Sequence, residues 1–386
     1  MEPLESVSYY QKTRLWSGNM WMMCLSHLFL SIAMYMLVAV LPAWLADKYS
    51  LSYSEAGAIV AVSGISIFLL GPFFNYWVDR YPRKSVCIWA MILVALSIVG
   101  LYVATTVAAV LACRIFQGMV QGVALMASGS TLSIDLVPSC RRTESNESFA
   151  WFGRLGLSLG PLAGLLLLKY FGVQTVFLVA AVLCLLAAFS IIWLKVPFRA
   201  PLCPPICSLD RFWLPNGWLM FIQVLPVAVS TGILLGTIHS YKFYGLLIVG
   251  FCISLVALRF AFDTADIRSE VVSGVILWGA GLLLLMFRDS DSSFYASATL
   301  IGIGLGLITS RLLKFYIDLS RHCERGSANT SYMLSWELGF AIGLAVGCGV
   351  GQAHSPLLIG LVMMIFFLLL YLGVTHRWYL KHRVRF

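Results

Sequence analysis

Long apolar runs separated by short polar connections dominate the chain. A helix needs about 20 apolar residues to cross a hydrocarbon core. Twelve stretches meet that length or come close to it: 18–45, 55–76, 84–104, 107–136, 147–169, 173–194, 216–237, 241–258, 270–287, 293–317, 328–350 and 355–375. The longest leave room for tilt or for extension past the core. One connection is different. The stretch 195–215 carries Lys195, Pro197, Arg199, Pro201, Pro204, Pro205, Asp210 and Arg211, and it follows the sixth span. The pattern therefore predicts an all-α polytopic membrane protein of twelve transmembrane helices in two six-helix bundles, 1–194 and 216–386, joined by a linker at 195–215.

A repeat supports that division. Ile134, Asp135, Leu136, Cys140, Arg142, Asn146, Ser148, Leu155, Gly156, Gly160 and Gly164 recur 183 residues later as Ile317, Asp318, Leu319, Cys323, Arg325, Asn329, Ser331, Leu338, Gly339, Gly343 and Gly347. That is 11 identities in a window of 31 positions, where average residue frequencies give roughly two or three. The offset is close to half the chain, as two pseudo-symmetric halves require.

Composition and charge sharpen the class. Of the 386 residues, 60% are hydrophobic and 11% charged, against about 25% charged in soluble domains. The net charge of +9 could suggest nucleic acid, but the basic residues sit in short loops between apolar spans, as the cytoplasmic face of a membrane protein requires. With the N-terminus inside, the inner segments hold 18 lysines and arginines, among them Lys12, Arg14, Arg80, Arg83, Lys84, Arg141, Arg142, Arg259, Arg268, Arg377 and Arg385. The outer loops hold four: Lys48, Lys169, Lys242 and Arg288. Both termini are expected in the cytoplasm, and no cleavable leader is expected. The ten cysteines are scattered singly apart from Cys203 and Cys207, which reads as reduced apolar filler. The six histidines, at 27, 239, 322, 354, 376 and 382, form no metal-ligand spacing. No phosphate-binding Gly-x-x-x-x-Gly-Lys-Ser/Thr run is present either, so no metal and no cofactor is expected.

Three motifs carry a family resemblance. After span two the chain reads Asn75-Tyr-Trp-Val-Asp79-Arg80-Tyr-Pro82-Arg83-Lys84. This resembles the Gly-x-x-x-Asp-Arg-x-Gly-Arg-Lys loop of the major facilitator superfamily, with Asn75 and Pro82 in place of glycines. Arg114-Ile-Phe-Gln117-Gly118 in span four is similar to that family's Arg-x-x-Gln-Gly. Gly156-x-x-x-Gly160-Pro161-x-x-Gly164 in span five is similar to a pattern of its proton-coupled exporters. The loop after span eight keeps Asp263, Asp266 and Arg268 in degenerate form.

The resemblance implies a secondary transporter that moves a small molecule by alternating access, coupled to protons, with efflux as the expected direction. Uptake of a sugar, organic acid or peptide by the same fold stays open, and a membrane-embedded enzyme is the rival of another class. The resemblance also implies a conformational latch at Asp79, Arg80, Arg83 and Lys84, in which Asp79 faces the start of span eleven and Arg83 meets Asp135. Arg114 would take part in proton coupling. By spacing, Gly156, Gly160 and Gly164, and their counterparts Gly339, Gly343 and Gly347, each line one helix stripe where backbones approach closely. That seam is either part of the alternating-access machinery or ordinary packing. Pro161 permits a kink there. Arg154 has Glu337 as its repeat partner, and a cross-domain ion pair between them at the inner gate is expected. His27, Tyr35, Gln117 and Gln223 are cavity candidates. Lys314 and Asp318, four residues apart, are expected to pair locally. The expected setting is a monomer in the lipid bilayer of the plasma (inner) membrane, with a small-molecule substrate, protons and no nucleic acid as partners.

Overall fold

The computed structural model describes residues 15–196, 203–262, 266–287, 290–321, 324–350 and 354–383. The expectations placed on Lys12, Arg14, Pro197, Arg199, Pro201, Asp263, Arg288, His322, Cys323 and Arg385 lie outside the described residues. Twelve helices among the described residues are long and apolar enough to cross a membrane. We number them α1 (Gly18–Tyr49), α2 (Tyr53–Arg80), α3 (Arg83–Val103), α4 (Val107–Asp135), α5 (Arg142–Phe171), α6 (Val173–Ile192), α7 (Pro215–Thr237), α8 (Tyr241–Phe260), α9 (Ile267–Met286), α10 (Asp291–Leu319), α11 (Arg325–Gly349) and α12 (Pro356–His382).

Local chemistry sets the helix ends. Ser52 caps α2, and Glu55 closes the reciprocal capping box, which satisfies two backbone donors that the helix cannot pair. Ser290 caps α10 in the same way, with Ser293 closing the box, and the Thr106 side chain caps α4 by accepting from the Ala109 amide. Between α5 and α6 the chain turns in one residue, Gly172, at φ +84°; a side chain there would be strained.

Two helices depart from regular geometry. α2 breaks after Ser66 and passes through a 3-10 turn at Gly71–Phe73 before Phe74–Arg80. α4 widens into a π-helical stretch at Ala127–Leu132. There the hydroxyls of Ser128, Ser130, Thr131 and Ser133 donate to the carbonyls of Ala124, Met126, Ala127 and Gly129 at 2.5–2.7 Å. Hydroxyls that bond back onto the preceding turn compete with the backbone ladder.

The packing is pseudo-symmetric. In the first half α1 lies against α5 and α6, α3 against α4 and α6, and α2 against α4. The second half repeats every one of these: α7 against α11 and α12, α9 against α10 and α12, and α8 against α10. The halves meet mainly through α2 with α11 and α5 with α8. The protein is thus two six-helix bundles facing one another.

The glycine stripes serve the packing inside each half. A Cβ at Gly156, Gly160 or Gly164 would stand 2.4–2.8 Å from Ser31, Met36 or Tyr35 of α1. A Cβ at Gly339, Gly343 or Gly347 would stand 2.0–2.7 Å from Ala228, Val229 or Ile233 of α7. The 183-residue repeat therefore marks the same α1–α5 and α7–α11 seam twice. Pro161 lies inside α5, which continues unbroken to Phe171.

Candidate functional site

The two halves close on each other at both ends. At the end bearing the Asp79–Lys84 loop, called the basic end below, Asn329 of α11 donates from Nδ2 to the Gly129 carbonyl of the π-helical turn at 2.7 Å. Gly326 lies against the Ser130 carbonyl. At the opposite end the Tyr53 hydroxyl meets His239 Nε2 at 2.6 Å, and Gly57 packs directly on Cys348.

Between these closures lies a cavity of about 70 Å³ lined from both halves. α1 supplies His27, Met34 and Tyr35, α4 supplies Gln121, and α5 supplies Phe149 and Arg154. α11 supplies Asn329, Tyr332, Trp336 and Glu337. A second space of about 30 Å³ adjoins it and shares Met34, Tyr35, Gln121 and Glu337, with Arg114 on its far wall.

Arg154 is buried, at 6% exposure. Its Nη2 donates to the Thr309 carbonyl at 2.6 Å and to the Tyr332 hydroxyl at 2.9 Å, both in the other half. The Trp151 and Tyr332 rings flank the guanidinium at 5.6 and 5.7 Å. Its Nε and Nη1 have no acceptor. Glu337 stands opposite, facing the Tyr35 hydroxyl, to which Trp336 Nε1 donates at 3.3 Å. The expected Arg154–Glu337 ion pair is not formed. Both residues stand 12 positions into their helices (142 to 154, 325 to 337), at the equal depth the repeat demands. However, each reaches across to uncharged groups of the opposite half, and the cavity lies between them.

His27 lines the cavity, stacked on Phe149 at 4.0 Å between ring centroids, with Nδ1 unpartnered. Tyr35 lines it as well. Two other cavity candidates are structural instead. Gln117 accepts from Arg114 Nη1 at 2.5 Å and touches the Met34 sulfur, outside both spaces. Gln223 is wholly buried inside the second half, donating to the Phe367 carbonyl and accepting from Thr375. A lone glutamine in an apolar helix marks a hydrogen bond, and the sequence does not say to which neighbour. Arg114 Nη2 donates to the Val60 carbonyl and to Ser63 Oγ at 2.5 Å each, tying α4 to α2.

At the basic end Arg83 Nη1 reaches Asp135 Oδ2 at 2.5 Å, and Arg83 Nη2 reaches Asp79 Oδ1 at 3.1 Å. The second cation on Asp79 comes from the connecting segment: Arg211, at 3.0 Å. The start of α11 lies across a polar space of about 590 Å³ that Asp79, Asp135, Arg211, Arg325 and Ser327 line. The segment is bound to α11 in turn, since the Leu214 amide donates to Ser331 Oγ at 2.8 Å and Ser327 Oγ to the Asp210 carbonyl. Lys84 Nζ caps the Leu194 carbonyl at 3.0 Å, and Arg80 lies over the Tyr76 ring.

Lys314 and Asp318 do not pair. Asp318 accepts from the Tyr379 hydroxyl at 2.6 Å, and Lys314 is the foremost cation acting on Glu147 of α5. The second half also holds a pair that residue spacing does not single out: Glu270 of α9, 1% exposed, with both carboxylate oxygens on the Arg311 guanidinium of α10. The one available signal was an acid in an apolar span that also had to find a cation. Gln121, Tyr332 and Trp336 were likewise not anticipated. Trp336 and Tyr332 are four apart on α11, a spacing that puts them on one face.

Two facing bundles around a central cavity, in contact with each other at both ends, define a carrier of the alternating-access kind. A family model described as Major Facilitator Superfamily matches residues 23–262. The chain belongs to that family and is one of its transporters. It is 26% identical over 292 residues to the fosmidomycin resistance protein of Escherichia coli (strain K12), covering 70% of this chain and 69% of that one. It is 27% identical over 145 residues to the multi-drug resistance efflux pump PmrA of Streptococcus pneumoniae, covering 37% of this chain and 36% of the pump. Among solved structures, the human organic anion transporter MFSD10 (TETRAN) superposes with TM-score 0.68 at 16% identity, covering 92% of this chain and 98% of that one. The POT family transporter PepTSo superposes with TM-score 0.71 at 12% identity, covering 95% and 99%. These two show the fold alone.

Proposed function

We propose that the protein exports a small amphipathic molecule in exchange for protons. The observation that carries this reading is the cavity itself, lined from both halves and holding a carboxylate, Glu337, that forms no ion pair among the described residues. An acid so placed is suited to take and give a proton as the halves rock. The names of the resistance and efflux relatives support the outward direction. The basic end faces the cytoplasm, with both termini, because the lysines and arginines concentrate there. The protein works as a monomer in the plasma (inner) membrane. The moving bodies are 1–194 and 216–386, with 195–215 between them. Asp79, Arg83 and Asp135, joined by Arg211, form the latch that holds the basic end closed. Arg114 braces α4 on α2.

The test is flux in proteoliposomes under an imposed pH gradient, using a ligand found by thermal shift on the purified protein. Exchange predicts uphill movement against the proton gradient, lost when the gradient is collapsed and lost in Glu337→Gln. Accumulation in the same direction as the protons would establish symport instead. Absence of any proton-dependent flux would reject the reading.

A further inference from the structure

We infer that the substrate is dipolar: an amphipathic molecule that carries an acidic group and a basic group on an apolar, aromatic body. The inference rests on the transporter reading and deepens it.

The cavity has two poles of opposite charge that do not satisfy each other. On the first half Arg154 presents a buried guanidinium, held in place by the Thr309 carbonyl, the Tyr332 hydroxyl and the ring of Trp151. Only Nη2 is used; Nε and Nη1 lack acceptors, and Nδ1 of the neighbouring His27 has no hydrogen-bond partner. Buried donors are nearly always paired, and an arginine whose donors stand empty beside a cavity between the halves is suited to a carboxylate, phosphonate or sulfonate. On the second half Glu337 lines the same cavity beside the Tyr35 phenol and forms no ion pair among the described residues. The other arginine near it, Arg114, uses Nη1 and Nη2 on Gln117 Oε1, the Val60 carbonyl and Ser63 Oγ, leaves only Nε unpartnered, and forms no ion pair with Glu337. A protein that needed only structural neutrality would bring Arg154 and Glu337 together, since they stand at the same depth on helices that face the same space. Here they are kept apart, and Phe149 and Trp336 line the cavity with them.

A molecule with one charge satisfies one pole and leaves the other uncompensated in a low-dielectric space. A molecule with both charges satisfies each pole and lays its body along the rings. A substrate ammonium at Glu337 also takes the place of a proton. Substrate and proton then exclude each other, as exchange requires.

The experiment is equilibrium binding to the purified full-length protein in detergent, with no gradient, so that its outcome is independent of transport. The probes are four compounds on one aryl body: an aromatic amino acid, its N-acetyl acid, its amide with the amine free, and the doubly blocked neutral form. The dipolar probe is expected to bind at least tenfold more tightly than either singly charged one. Arg154→Gln should abolish its advantage over the amine, leaving its advantage over the acid. Glu337→Gln should do the reverse. Arg154→Lys, which keeps the charge, should retain part of the acid preference and guards against a mere packing defect. Equal binding of the four probes, an equal loss of all four in both variants, or no binding of any probe at millimolar concentration would overturn the inference. Normal discrimination without proton-driven flux would instead overturn the exchange reading and leave this one standing.

Discussion

Single residues in this protein are decided by what the apolar surroundings leave unpaired. Glu270 is the clearest case, with an almost fully buried carboxylate and both oxygens on Arg311. Removing one partner of a buried pair typically costs about 3–5 kcal/mol, because a charge is left without compensation, whereas replacing both with apolar groups is often neutral. Arg311→Met should therefore lower the thermal unfolding midpoint of the purified protein markedly. Glu270→Leu combined with Arg311→Met should recover most of that loss. A double variant as unstable as the single one would mean that the pair does more than neutralise itself. Arg114, Arg154 and Glu337 stand out in the sequence because charges in apolar spans are rare. Their partners do not stand out. Arg154 ends on a backbone carbonyl and a tyrosine hydroxyl, and no residue-type pattern announces a carbonyl.

At the scale of elements, the glycine stripes fix how closely α5 approaches α1 and α11 approaches α7. A Cβ at Gly343 would stand 2.0 Å from the Val229 carbonyl oxygen, which is backbone and cannot step aside. Overpacking of this sort typically costs about 1–3 kcal/mol. Gly343→Ala should accordingly lower stability in a thermal melt by about that amount, while Gly245→Ala, whose nearest neighbour is 4.0 Å away, should change little. Equal melts for the two would show that α7 and α11 can separate without penalty. The π-helical turn of α4 is the other decisive element. There the Gly129 carbonyl accepts both from Ser133 Oγ of its own helix and from Asn329 Nδ2 of α11.

At the scale of the whole molecule, the two halves touch at both ends of the cavity. The basic end is tied through Asp79 to Arg211, and from the connecting segment to Ser331 and Ser327 of α11. Asp79→Asn removes the charge that holds Arg211 and Arg83 and should shift the population toward the state open at that end. The check is thiol labelling of a Ser130→Cys reporter, buried in the closed state beside Gly326, in an otherwise cysteine-free protein. Labelling should become several-fold faster with Asp79→Asn. An unchanged rate would remove the latch from this loop.

By itself the sequence determined the membrane, the number of spans, the repeat and the motifs, because each of these is written in a one-dimensional pattern. Apolar length reports crossings, four-residue spacing reports a stripe, and a fixed offset reports two like halves. The sequence also marked Arg154 and Glu337 as a matched pair at one depth. Only the tertiary structure decided what such residues face. Equal depth on α5 and α11 is compatible with contact or with a gap, and the difference lies in how far the two bundles stand apart around the cavity. Gln223 and Gln117 were chosen by the same polar-in-apolar logic as His27 and Tyr35, yet the first two fill bonds inside the halves and the last two face the cavity. A polar side chain in a helix records that a partner exists; helix rotation and packing, set by every contact of the bundle at once, determine whether that partner is a neighbouring helix or the space between the halves.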